Sequence, residues 1–209
     1  MIQSPQNSMI VNKSRLKSLL ILLALTCSVS HNLAQAQVTS VTRNIASYTQ
    51  DVFPYKGSRV MSVDEVSAGG VEDNVFIFSK VEKFAKPDVM YFQRFTREFG
   101  KTGTPWKLAA ATEVRHDGII VVVNNRKAFY DTDKRNSVDA LFIYALNDAD
   151  LKQQSIHALF SQGDKIYTIA ANKSDNYASS QYSANFQDLS PTVKASIMAY
   201  WTKLDKKDK

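Results

Sequence analysis

Past residue 50 the chain is written mostly in alternation. From Asn74 to Phe84, Val75, Ile77, Ser79, Val81 and Lys83 fall on one side, and Phe76, Phe78, Lys80, Glu82 and Phe84 on the other. That period of two predicts a strand in a sheet. Arg59 to Val66 alternates too, and Ala68-Gly69-Gly70 breaks the chain between the two segments. Asp88 to Gly100 reads two ways. As a helix it sets Phe92, Phe95 and Phe99 on one face and stops at Gly100. As a strand it alternates Tyr91, Gln93, Phe95, Arg97 and Phe99, and Lys101 to Pro105 turns it into Trp106 to Val114. The hairpin is favoured, because aromatic residues suit a pleated surface.

The rest is clearer. His116-Asp117-Gly118 predicts a turn, Ile119 to Val123 a strand, Asn124-Asn125 a second turn, and Ala128 to Thr132 the return strand. Val138 to Leu146, Ser155 to Ser161 and Lys165 to Ala171 follow as strands, with Gln162-Gly163-Asp164 as a tight turn. Short connections imply an antiparallel meander. Asn172 to Gln181 is a polar loop. Ser190 then fits a helix N-cap and Pro191 the first helical position. Val193, Ile197, Trp201 and Leu204 recur at helical spacing. The expected fold is a single α+β domain over 51–204. Its antiparallel β-meander sheet is packed by a C-terminal amphipathic helix, with one or two further helices allowed for. Residues 37–50 read as a flexible segment, and 205–209 as a charged, solvated tail.

The first 36 residues carry a different pattern. Lys13, Arg15 and Lys17 form a cationic start, Leu19 to Val29 an apolar run of eleven, and Ala34-Gln35-Ala36 a small-residue cleavage site. This is the layout of a cleaved signal peptide. The run is too short to span a bilayer, which needs roughly twenty residues. Cys27 follows Leu25 and Thr26, a poor lipidation signal, so cleavage after Ala36 is expected. The mature chain then lacks cysteine. Its stability rests on a core rather than on disulfides. A periplasmic or secreted protein without a transmembrane span is the expectation.

Charge changes the picture little. The chain has 26 basic and 20 acidic residues; the leader holds three cations and no acid, so the mature balance is 23 against 20. A net of +3 is no nucleic-acid footprint.

The C-terminal part has a familiar order. Residues 151 to 204 run strand, Gly163 turn, Lys165-Ile-Tyr-Thr-Ile-Ala170, polar loop, aromatic and helix. This resembles the end of PsbP-like domains, small antiparallel-sheet proteins flanked by helices, many of them exported accessory factors. The resemblance implies a non-enzymatic accessory role and carries over no site residue. Cone-shaped carrier domains and lipoprotein carriers give similar strings.

Chemical motifs are sparse. His116 and His157 remain after the leader, far apart and without zinc-ligand spacing. Asp131-Thr-Asp133 hints at a calcium loop, yet Asn136 stands where glycine is required and Phe142 where glutamate is. Ser155 and His157 share a strand face, but nothing nearby in sequence supplies a third catalytic member. No nucleophile elbow or phosphate loop occurs. No cofactor is called for. The aromatic and basic residues Phe92, Arg94, Phe95, Arg97, Phe99, Lys101 and Trp106 read first as core, and otherwise as one binding surface for an anionic head group or acidic partner.

The favoured reading is therefore an exported, monomeric, non-enzymatic domain that binds another envelope protein as an accessory, inhibitor or immunity-type factor. A carrier of a small apolar or lipid ligand, and a hydrolase with a long-range Ser/His/Asp site, stay open beside it.

Overall fold

The computed structural model describes residues 41–42, 47–68, 71–131 and 137–207. The signal peptide, Cys27, most of the 37–50 segment and Thr132 to Asn136 of the calcium-like stretch lie outside them. Ten described strands form two antiparallel sheets. The first holds β1 (Val41–Thr42), β2 (Arg59–Ala68), β3 (Glu72–Lys80), β4 (Asp88–Glu98) and β5 (Lys107–His116), paired in that order. The second holds β6 (Ile119–Tyr130), β7 (Asp139–Asn147), β8 (Gln153–Gln162), β9 (Lys165–Asn172) and β10 (Gln181–Tyr182), also in chain order. Among the described residues, α1 (Pro191–Lys203) is the α-helix; 3-10 turns occupy Lys173–Asp175 and Ala184–Asp188. No helix among them is long and apolar enough to cross a membrane.

Every strand pairs with a sequence neighbour, as a meander should, but the expected single sheet is corrected to two. The break falls at Asp117-Gly118, where β5 ends and β6 begins without pairing to it. The cause is visible in the burial. β3 is buried almost throughout, and β4, β7 and β8 are buried for most of their length on both faces. One sheet covered by one helix offers a single dry face, so a second sheet is required. Phe76, Phe78 and Phe92 from the first sheet meet Phe129 and Phe142 from the second. Phe142 lies 5.0–5.6 Å, ring centre to ring centre, from each of the other four.

The outer faces are covered separately. Val63, Val75, Ile77 and Phe95 pack under Tyr48 and Phe53, so the core begins before residue 51. On the other side Leu141, Ile143, Ile156 and Phe160 pack against Val193, Ile197 and Trp201 of α1. Ser190 caps this helix, its hydroxyl accepting the Val193 N–H at 3.4 Å, and Pro191 opens it as expected. Trp201 donates its indole N–H to Ser180 Oγ at 2.9 Å.

Other expectations change in detail. Asp88–Glu98 is a strand and pairs with β5, so the hairpin reading holds. Ile119 to Tyr130 is one continuous strand rather than a hairpin: Asn124-Asn125 is absorbed in an irregularity between Val122 and Lys127 of the β6–β7 ladder. β3 stops at Lys80, four residues short of Phe84. The start of the tail is held, not frayed. Lys206 Nζ sits 4.8 Å from the Trp201 ring centre, and Gln153 donates to the Lys206 carbonyl at 2.7 Å.

Phe142→Ala removes the ring that touches four others and should cost about 3–5 kcal/mol in urea unfolding. Phe99→Ala, at a half-exposed position, should stay within about 0.5 kcal/mol.

Candidate functional site

The turns at one end of the two sheets enclose a cleft of about 460 Å³. Residues 82–86 of the β3–β4 turn form one wall, Asp117 to Ile119 of the β5–β6 turn a second, and Ala149 of the β7–β8 turn a third. Arg59, Lys80 and Asp88 line it from the first sheet. Its interior is organised by an ion pair. Lys80 and Asp88 bond to each other, Lys80 Nζ donates to the Ile120 carbonyl at 2.9 Å, and Asp88 accepts the Ile120 N–H at 2.9 Å. Both backbone groups of the residue that starts β6 inward are thereby satisfied by the opposite sheet. Gly118 is needed here for room: a Cβ would collide with the Asn147 carbonyl.

Two bulky apolar residues stand out at this end. Phe84 is 86 % exposed with φ +69°, and Lys83 Nζ lies 4.8 Å from its ring centre. Leu151, two residues beyond Ala149, is 60 % exposed with φ +66°. Left-handed backbone is unfavourable for such side chains by about 1–3 kcal/mol each. The Leu151 turn is held by Asp148, whose carboxylate accepts the N–H groups of Asp150 and Lys152 at 3.0 and 2.9 Å. Asn147 Nδ2 also donates to the Leu151 carbonyl at 3.0 Å.

Beside the cleft, His116 Nε2 bonds the Asn147 carbonyl at 2.8 Å. Ser155 Oγ and His157 Nε2 share a hydrogen bond of 2.8 Å, and Tyr144 stacks on His157 with ring centres 4.8 Å apart. Burial, and then the nearby His116, push the His157 pKa down to about 4, and burial pushes the Tyr144 phenol up to about 12. The Ser-His contact has the distance of a nucleophile and its base. Three features argue for a packing role instead. Ser155 is buried, the imidazole is too acidic for a base working near neutrality, and among the described residues no carboxylate orients its other nitrogen. No group of three metal-ligating side chains occurs among the described residues.

The seven residues singled out in the sequence do not share one exposed surface. Phe92 and Arg94 face inward between the sheets. Arg94 is 2 % exposed and bonds Asn74, Glu72 and the Gly163 carbonyl across the gap, at 2.9, 2.6 and 2.8 Å. Phe95 is buried on the opposite face under Phe53. Arg97 stacks at 4.3 Å on Trp106 and bonds Asp73 at 3.1 Å. Phe99 and Lys101 are exposed, with Lys101 paired to Glu98 at 2.8 Å. Alternation along β4 had to divide this set, because successive side chains leave opposite faces. The residues missed were Arg59, Phe84 and Leu151. Lys-Phe-Ala-Lys-Pro at 83–87 was the available signal, since a proline ends a strand more readily than it continues one.

Compared with known proteins, the chain matches no family model, no curated protein and no solved structure.

His157 yields a pH test. Its folded pKa of about 4 lies below the ordinary 6.5, so between those values the unfolded chain binds more protons and stability rises with pH. Lowering the pH from 7 to 4.5 should cost roughly 2–3 kcal/mol through this residue. The wild type should lose that much more than His157→Gln in parallel urea titrations; equal losses would remove His157 as the cause.

Proposed function

We propose that this protein is an exported, non-enzymatic binding domain that docks on another protein of the cell envelope through the end carrying the cleft. The supporting observation is Phe84: a large aromatic ring almost wholly in water, on a left-handed backbone, at the lip of a 460 Å³ cleft. Exposed aromatics beside a concavity are typical anchors of protein interfaces. Leu151 supplies a second apolar contact on a neighbouring turn. Charges of both signs surround the pair: Lys83, Lys86 and Lys152 against Glu82, Asp117 and Asp150. Such a mixed rim suits a protein partner better than a polyanion or an anionic bilayer. The inward aromatic layer speaks against the carrier alternative, since five phenylalanines fill the space between the sheets.

Phe84→Gly separates binding from folding. Glycine relieves the left-handed backbone and removes little packing, so thermal stability should stay level or rise by up to about 1 kcal/mol. Affinity capture from envelope extract should yield a partner with wild type and lose it with Phe84→Gly. A partner retained equally by the variant, or none with wild type, would sink the proposal.

A further inference from the structure

Arg59 indicates what chemical group the partner brings. It opens β2 and sits opposite Lys80 of β3 in register. Two cations directly opposed in an antiparallel pair repel each other. Lys80 is neutralised by Asp88. Arg59 is not: among the described residues no carboxylate lies within ion-pair distance of it. Its guanidinium reaches Met61 Sδ at 3.7 Å, a weak acceptor, and its Nε is buried with no acceptor at all. A guanidinium is a planar fork of five donors that matches a carboxylate with two parallel hydrogen bonds. The terminal nitrogens of a guanidinium that lines the cleft are thus left without an oxygen acceptor among the described residues, and the cleft is short of one anion there.

We propose that the cleft receives a carboxylate of the partner polypeptide, held two-pronged on Arg59, with a neighbouring apolar side chain against Phe84. This rests on the docking reading above and names the chemistry of that same site. Glu82 and Asp117 on the rim select for a single carboxylate, because an acidic run would meet them. The carboxylate can belong to an acidic side chain or to a chain terminus. Both present the same two oxygens.

The test is a nitrogen-15 NMR titration of the purified protein with three N-acetylated peptides. Acetyl-Ala-Phe-Asp-Ala-amide carries a side-chain carboxylate, acetyl-Ala-Phe-Asn-Ala with a free terminus carries a terminal one, and acetyl-Ala-Phe-Asn-Ala-amide carries none. At least one carboxylate peptide should shift the Arg59 Nε–H and Gly118 N–H signals with a Kd of about 1 mM, and the neutral peptide should bind at least tenfold more weakly. Whichever carboxylate peptide binds identifies the source. Arg59→Met should abolish the difference, and Arg59→Lys, which keeps the charge without the fork, should restore only part of it. Equal binding of the neutral peptide would overturn the carboxylate while leaving docking at Phe84 standing. An Arg59 signal unmoved by either carboxylate peptide at about 10 mM would overturn it as well. The docking reading falls separately, on the capture experiment with Phe84→Gly.

Discussion

The structure depends on one contact layer, the five phenylalanine rings between the sheets with Phe142 among the other four. Once those rings are in place, polar groups that cross between the sheets are confined to the margins. Lys80 and Asp88 hold Ile120 at one point, Lys127 bonds Asp64 at another, and Arg94 reaches the Gly163 carbonyl at a third. The ties also define how the sheets cross. β6 begins beside Asp88 of β4 and by Lys127 has arrived at β2. Strands of the second sheet therefore run obliquely over those of the first, and the turns at one end line the cleft.

That crossing explains which parts of the structure were legible in the sequence. The neighbour-to-neighbour pairing of the long strands was readable, from period-two alternation in β2 to β5 and from short turns elsewhere, while β1 and β10 were not read and β6 was read as two strands. The division into two sheets was not, although the near-continuous apolar character of Phe76 to Phe78 and Leu141 to Ala145 pointed to strands with two dry faces. Asn124-Asn125 looks like a turn because the pair favours left-handed backbone in isolation, yet the ladder on either side outweighs it. The candidate residues are divided for a geometric reason. Phe92 and Phe95 have a helical spacing but stand on a strand, where an odd separation sends them to opposite faces. Phe84 was assigned to β3 by extending the alternation past Lys80, although the cross-strand partners stop there.

Arg59 was the least legible residue. A lysine or arginine at a strand start is ordinary in any sequence. Only the register that places it opposite Lys80, and the pairing of Lys80 with Asp88, shows it as a half-buried cation without an anion among the described residues. Phe84 and Leu151 share this character: their departure lies in a backbone angle and in exposure, neither of which has a residue signature. Local strain and an unmade bond at the same end of the molecule are what a surface shaped for a partner, rather than for its own stability, would carry.

The placement of the sheet break in the chain has a consequence for biosynthesis. All described strands of the first sheet end by His116, and all those of the second begin at Ile119. A chain emerging from its N-terminus can thus complete every ladder of the first sheet before any residue of the second appears. The inner face that it then presents is Phe76, Phe78 and Phe92, bare until β6 and β7 arrive. The interval between those two events is when the nascent protein most needs shielding from its neighbours.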